Sequence, residues 1–307
     1  MVGRRLLSVA VGLGADQLLG EPPSAVHPVA LFGRAMQGVE RRCYQPTRAR
    51  GVVYTATGLG LGVLAGVVVR SSAAATYVSV AGRSLRDAAR DVGAALECGD
   101  LERARLLLPT LVGRDPANLD AEQISRAVVE SVAENTVDAI IAPAIWALVG
   151  GAPATLGYRA VNTMDAMVGH RSERYQHFGT ASARLDDVAN WLAARAAALL
   201  VALVRPHRAV EVWRTVRAHS PAHPSPNSGV IEAAFAAALG VRLGGPSRYG
   251  EVAEIRPPLG FGRAVEHRDI KAASRLSRDC TIAFTAVLIA AGLGRRGRSR
   301  VRAGARA

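Results

Sequence analysis

The 307-residue chain carries a formal charge of +13, almost all of it from arginine, and half of its residues are hydrophobic, with a mean hydropathy of +0.16. That balance points to a membrane or membrane-associated protein. The absence of a basic helix, a zinc motif or an aromatic–basic sheet signature argues against nucleic acid as the partner of the basic excess. Cys43, Cys98 and Cys280 form no CxxC pair, so neither a disulfide framework nor a cysteine zinc site is indicated.

The apolar content is mostly Ala, Val and Leu, which suits helices better than sheets. In chain order, residues 6–19 form a short apolar segment containing Asp16. The opening "MVGRRLLSVAVGLGADQ" imitates a signal peptide, but it runs straight into "LGEPPSAVHPVALFGR" at 19–34 without a convincing cleavage site, so it is read as part of the protein. Residues 51–69 are the clearest membrane span. Gly58, Gly62 and Gly66 lie four apart there and predict a close helix–helix approach. Residues 71–82 suggest a short return span. Further candidate spans are 139–158, with Pro143 and the break "GGAP", then 188–204, which holds Arg195, and 280–294. About four to six membrane segments are expected. The basic stretch 33–50 and the Arg-rich tail after residue 294 are placed on the cytoplasmic side.

Between Arg83 and Asp138 the pattern is amphipathic and helical, divided by Pro109 and the "GRDP" turn at 113–116. Asp120 is expected to cap the next helix, with Gln123 completing a capping box. On that helix Glu130, Glu134 and Asp138 fall on one stripe and Ile124, Val128 and Val132 on the opposite face. Arg126 sits one turn before Glu130 and offsets the repulsion. Pro143 removes a backbone donor and frees the carbonyl near Ala139. Either the acids are a solvated face, or they rim a cation pocket at a broken membrane helix. The expected fold is all-α: a polytopic helical membrane protein with an amphipathic helical domain on the cytoplasmic side. Its expected regions are 1–70, 71–138, 139–262 and 263–307.

Polar clusters continue downstream. "GYRAVNTMDAMVGHRSERYQHFG" at 157–179 places Asn162 and Asp165 one turn apart, then His170, Arg171, Arg174 and Tyr175. Arg171 and Arg174 are spaced to clamp one anion, and a guanidinium suits phosphate through its paired donors. "SARLDDVANW" at 182–191 supplies Arg184, Asp186, Asp187 and Asn190, with Asp186 and Asn190 at i and i+4. Carboxylate and carboxamide oxygens are the hard ligands Mg²⁺ prefers, while acids here also suit a helix N-terminus. "HPSPNSG" at 223–229 ends in Asn227-Ser228-Gly229, and "VRLGGPSRYGE" at 241–251 is a Gly-rich turn able to cradle phosphate. No Walker A, GxSxG, HExxH or Rossmann fingerprint occurs.

"SVAENTVDAIIAPAIW", "YRAVNTMDAMVGHRSERYQHFG", "ARLDDVANW", "HPSPNSG" and "VRLGGPSRYGE" occur in this order and closely resemble the CbiB/CobD family of cobalamin biosynthesis, the adenosylcobinamide-phosphate synthases. The likeness runs from about Asp16 to about Gly262. One departure is Gly20-Glu21-Pro22, where the family usually reads Gly-Asp-Pro, so the acid is one methylene longer. The resemblance implies a multi-pass ligase of the cell (inner) membrane with its active site facing the cytoplasm. It would join adenosylcobyric acid to (R)-1-amino-2-propanol O-2-phosphate, or ethanolamine phosphate, at the expense of ATP. Its expected partners are those substrates and the lipid bilayer, with a homo-oligomer or other corrinoid-pathway enzymes as further contacts. Amide formation of this kind needs Mg²⁺, phosphate ligands and a base. By chemical type, Glu130, Glu134, Asn135, Asp138, Asp186 and Asp187 are assigned to the metal. Arg171, Arg174, Arg184, Asn162, Asn227 and Arg248 are assigned to phosphates and substrate. His170, His27 and Asp165 are assigned to catalysis. Competing readings are a membrane prenyltransferase holding Mg²⁺–diphosphate, a transporter, or a non-enzymatic sensor.

Overall fold

The computed structural model describes residues 2–23, 25–113, 116–170, 172–249 and 252–304, and for 246–249, 252–255 and 296–304 the backbone alone. The helices in chain order are α1 (Val2–Leu19), α2 (Pro28–Cys43), α3 (Arg48–Val69), α4 (Ser72–Ser79), α5 (Gly82–Glu97), α6 (Leu101–Leu107), α7 (Ala121–Thr136), α8 (Ala142–Met164), α9 (Thr180–Val204), α10 (Ala209–His219), α11 (Ser228–Leu239) and α12 (His267–Gly304). One antiparallel hairpin, β1 (Leu243–Tyr249) and β2 (Val252–Leu259), precedes α12. Among the described residues four helical runs are long and apolar enough to cross a membrane: Arg48–Val69, Ala121–Gly169, Thr180–Val204 and His267–Arg295. The fold is therefore the all-α, polytopic type that composition predicts. The expected return span at 71–82 is the eight-residue α4, about 12 Å long at ~1.5 Å per residue, too short for a bilayer core of ~30 Å.

The chain divides into two units, one of residues 1–81, 138–190 and 284–307, the other of 82–137 and 191–283. In the first unit α3 packs along α8 through the predicted glycine stripe. A Cβ on Gly62 would lie 2.6 Å from Leu156 O, and one on Gly66 would meet Pro153 and Ala152. Beside this seam Met36, Tyr54, Val161, Met164, Val168 and Phe178 form a buried core, with the Tyr54 and Phe178 rings 5.2 Å apart. α8 breaks at Gly151, where φ is +67°. Arg5 closes the broken end by donating to Leu148 O and Val149 O at 3.2 and 2.9 Å. Pro143 acts as predicted: the Ala139 carbonyl left without a helical donor accepts the Ala81 N–H at 3.0 Å. Residues 137–141 and 165–169 are π-helical turns that open the two ends of this segment.

In the second unit α7 starts with the expected capping box: Gln123 N–H donates to Asp120 Oδ1 at 2.8 Å, and the Gln123 side chain accepts from Asp120 N at 3.0 Å. α7 is buried on both faces, Glu130 included, so its acids are no solvated stripe. α10 and α11 pack together, and the hairpin lies against α10, α11 and α7. The Gly-rich stretch 241–251 was expected to be a turn. Its residues 243–249 form β1 instead, with Gly244 and Gly245 at φ +77° and +93° absorbing a register shift next to Leu243, while Gly250 and Glu251 lie outside the described residues.

Candidate active site

Among the described residues of the first unit, a polar arrangement joins the π-turn before α8, the end of α8 and the start of α9. Asn162 points its amide nitrogen at two carboxylates, Asp138 Oδ2 at 3.3 Å and Asp186 Oδ1 at 3.2 Å. Arg159 Nη1 donates to Asn162 Oδ1 at 3.0 Å and so sets the direction of that amide. The other Asp186 oxygen accepts from Asn190 Nδ2 at 2.9 Å. Asn190 Oδ1 in turn lies 2.8 Å from the Tyr158 hydroxyl. Asp186 is 8% exposed and Asn190 1%, so the network is built into an apolar helix pair rather than laid on its surface. Asp187, the neighbour of Asp186, is half-buried.

Other predicted residues of the first unit surround different features. His27 caps α2: its Nδ1 accepts the Val29 N–H at 3.2 Å. A backbone N–H only donates, so the neutral ring carries its proton on Nε2, which faces Glu21 Oε1 at 4.0 Å. Burial pulls the His27 pKa down, with Glu21 opposing and Arg159 reinforcing that shift. Asp165 opens the second π-turn and folds over Gly169, where a Cβ would strike its Oδ1. His170 is exposed and stands edge-on to the Tyr175 ring at 5.0 Å. Arg174 pairs with Glu40 at 3.0 Å and lies 4.1 Å over the Tyr44 ring. Tyr175 donates to the same Glu40 oxygen at 2.7 Å, and burial, then Glu40, pushes its phenol up. Arg184 is exposed at the start of α9. Arg171 lies outside the described residues, so the expected Arg171–Arg174 clamp is known only by its Arg174 half.

Within the second unit Glu130 Oε1 accepts the Gly244 N–H at 2.9 Å, and Glu134 Oε1 accepts the Ser228 hydroxyl at 2.7 Å. The Gly-rich strand therefore turns its backbone donor toward a carboxylate of its own chain. Asn135 donates to Ser131 O at 2.9 Å. Asn227 stands at the N-terminus of α11 and accepts from Arg195 at 3.0 Å. His223 is buried against Gly229, and its Nδ1 accepts the Ser225 N–H at 3.1 Å. Burial lowers its pKa; the Ser225 contact opposes this, Arg256 adds to it, and Glu134 and Glu130 oppose it. The side chain of Arg248 lies outside the described residues.

Among the described residues no three His, Cys, Asp or Glu side chains group as a metal site. The oxygen donors that do converge are the carboxylates of Asp138 and Asp186, to which Asn162 and Asn190 turn their amide nitrogens. Hard oxygen donors of this kind fit Mg²⁺, which takes one or two protein carboxylates and keeps its other positions for water and substrate phosphates. Tyr158 and Arg159, which orient the carboxamides, were not singled out from the sequence. One signal was available. "NTVDA" at 135–139 recurs as "NTMDA" at 162–166, and in both the aspartate opens or lies in a π-turn. Such turns concentrate at functional sites.

Residues 9–277 match the family described as CobD/Cbib protein. A cobalamin biosynthesis protein CobD of Mycobacterium tuberculosis is 46% identical over 290 residues, covering 89% of this chain and 91% of its own. CobD of Chromobacterium violaceum is 42% identical, covering 88% and 91%, and CbiB of Salmonella arizonae is 37% identical, covering 93% and 97%. No solved structure matches the chain. With a family match over most of its length and relatives of this similarity, the chain belongs to the CobD/CbiB family of cobalamin biosynthesis proteins.

Proposed function

We propose that this protein is a membrane ligase that joins adenosylcobyric acid to (R)-1-amino-2-propanol O-2-phosphate, or to ethanolamine phosphate, with hydrolysis of ATP, giving adenosylcobinamide phosphate. The observation that carries the reading is the convergence of Asp138 and Asp186 on one amide nitrogen of Asn162, inside helices apolar enough to span a bilayer. Ionisable groups in such helices are costly and mark function.

The reaction requires an activated carboxyl group. The corrinoid carboxylate attacks the γ-phosphorus of ATP, the bond to ADP breaks, and an acyl phosphate forms. The amine nitrogen then attacks the acyl carbon, the carbon–oxygen bond to phosphate breaks, and a base takes the amine proton. Mg²⁺ at the Asp138–Asp186 pair would neutralise phosphate charge as it is transferred. Asn162 spaces the two carboxylates, and Arg159 keeps Asn162 turned toward them. Asp187 lies beside the pair. Arg184, exposed two residues before Asp186, would meet a phosphate. His170, exposed beside Tyr175, is the proton acceptor, with Asp165 as a second acceptor. His27 presents a donor rather than a base, because its Nδ1 is engaged by the helix it caps. We assign the metal role to the Asp138–Asp186 pair because Asn162 holds these two carboxylates together, whereas Glu130 and Glu134 each accept a hydrogen bond within the second unit, from Gly244 and Ser228. The protein is placed in the cell membrane with this chemistry on the cytoplasmic side, where ATP is available.

The test is incubation of detergent-solubilised protein with adenosylcobyric acid, Mg·ATP and each amine in turn, with product followed by mass. Amide formed with one amine, and lost in Asp186→Asn, supports the reading. No product with either amine removes it.

A further inference from the structure

Asn162 and Asn190 both donate to Asp186, yet they are held in different ways. The oxygen of Asn162 faces Arg159, and a guanidinium has donors only. Reversing that carboxamide would set donor against donor, so Asn162 is locked. The oxygen of Asn190 faces the Tyr158 hydroxyl at 2.8 Å, and the same hydroxyl lies 3.0 Å from the Asp138 backbone oxygen. A phenol has one proton and can also accept. It satisfies Asn190 in either sense. It donates to Oδ1 in one, and in the other it accepts from Nδ2 while its proton goes to Asp138 O.

The spacing gives the reversal a purpose. A carboxamide turned over exchanges its oxygen and nitrogen positions, so Oδ1 would stand where Nδ2 now lies, 2.9 Å from Asp186 Oδ2. With Mg–O bonds of ~2.1 Å, neighbouring ligands in an octahedron are about 3.0 Å apart. Two oxygens at that distance repel each other when alone and chelate a cation when one is present. Resting on the metal reading of the Asp138–Asp186 pair, we infer that Asn190 is a reversing ligand. It donates to Asp186 in the metal-free protein and turns its oxygen to the cation on binding, and Tyr158 is the positioning residue that accommodates both orientations.

The experiment is Mn²⁺ titration of the full-length protein in detergent, followed by electron paramagnetic resonance, together with thermal unfolding with and without Mn²⁺. Wild type and Asp186→Asn examine the metal reading. Asn190→Asp and Asn190→Leu examine the reversal. Asn190→Asp sets two carboxylates at the 2.9 Å contact. It is expected to unfold at lower temperature without Mn²⁺, to recover with it, and to bind Mn²⁺ about 10-fold or more tightly than Asn190→Leu. Tyr158→Phe should weaken Mn²⁺ binding in the wild-type background, where the reversed amide loses its acceptor. It should have no such effect in Asn190→Asp, which has no donor to satisfy. Wild type that fails to bind Mn²⁺ removes the metal reading. Wild type that binds, with Asn190→Asp no tighter than Asn190→Leu, or with Tyr158→Phe acting equally in both backgrounds, removes the reversal alone. So does an Asn190→Asp protein recovered folded neither with nor without Mn²⁺ in the medium.

Discussion

Gly62→Ala tests the seam on which the first unit is built. The added Cβ would lie 2.6 Å from Leu156 O, 2.7 Å from Ala160 Cβ and 3.2 Å from Gly157 Cα, where ordinary contact begins at 3.4 Å. The first two neighbours cannot swing aside, because one is backbone and the other a Cβ. α3 and α8 must therefore separate by about 0.8 Å, and a gap of that size forfeits roughly a quarter to a half of the dispersion energy of each contact it opens. Overpacking of this kind costs about 1–3 kcal/mol, against which alanine regains up to ~1 kcal/mol of helix propensity. A net loss of about 1–2 kcal/mol is expected. Gly60→Ala is the control, since a Cβ there meets nothing within 4 Å on the same helix. It should be neutral or stabilising by up to ~1 kcal/mol. Reversible unfolding in mixed micelles, read by circular dichroism, compares the two. Equal stability of the variants would refute the close approach of α3 to α8.

Asp186→Asn should lower turnover by roughly 100-fold while leaving expression and detergent extraction unchanged, because it removes one charge from the carboxylate pair and keeps its shape. Ser228→Ala takes the hydroxyl donor from Glu134 and should destabilise by about 1.5–3 kcal/mol, the range for hydrogen bonds to charged groups, measured by the same unfolding assay. His27 and His223 are both held below the ordinary 6.5 by burial. The unfolded chain then binds more protons than the folded one as pH falls through 6.5, so stability is full above that value and declines below it, toward the lowered folded pKa values. His27→Gln together with His223→Gln should flatten that acid limb, and a limb of unchanged steepness would assign it to other groups.

Much of the local structure was legible because it depends on near neighbours. The Asp120–Gln123 box, the glycines at intervals of four and the effect of Pro143 on the Ala139 carbonyl each arise from side-chain chemistry within a turn or two. The hairpin was not legible, since Pro246, Pro257 and Pro258 and two adjacent glycines argue against a strand. It forms where the Gly244 N–H can reach the Glu130 carboxylate, 114 residues earlier. The burial of α7 on both faces was hidden for a related reason. Its apolar stripe predicts one covered face, and the other is covered by partners remote in sequence. In the candidate site the acids and Asn190 announced themselves by type and spacing. Tyr158 and Arg159 did not, because a tyrosine and an arginine in a membrane helix have many ordinary uses. Only the contacts across 32 residues to Asn190, and at one turn to Asn162, give them a role.

The two Asn-Thr-x-Asp-Ala segments show how a short pattern can shape such a site. Thr136 donates to Val132 O at 2.7 Å, and Thr163 donates to Arg159 O at 2.7 Å. In each case a hydroxyl takes the carbonyl four residues back, a contact that loosens and bends a helix. In each case the wide turn begins within two residues, at 137–141 and 165–169. The extra residue in a π-turn shifts the angular register of the helix beyond it, so an aspartate that would continue one face of the helix is presented on another. The first aspartate meets Asn162, which belongs to the second copy of the pattern. A carboxylate and its carboxamide partner therefore come from two occurrences of one five-residue device, and α8 between them fixes their separation. If the device acts as described, Thr163→Val should restore an ordinary helical turn at 165–169 and displace Asp165 from Gly169, while Thr163→Ser should keep both. The separation of the two variants in activity, with equal thermal stability, would tie the turn to function rather than to folding.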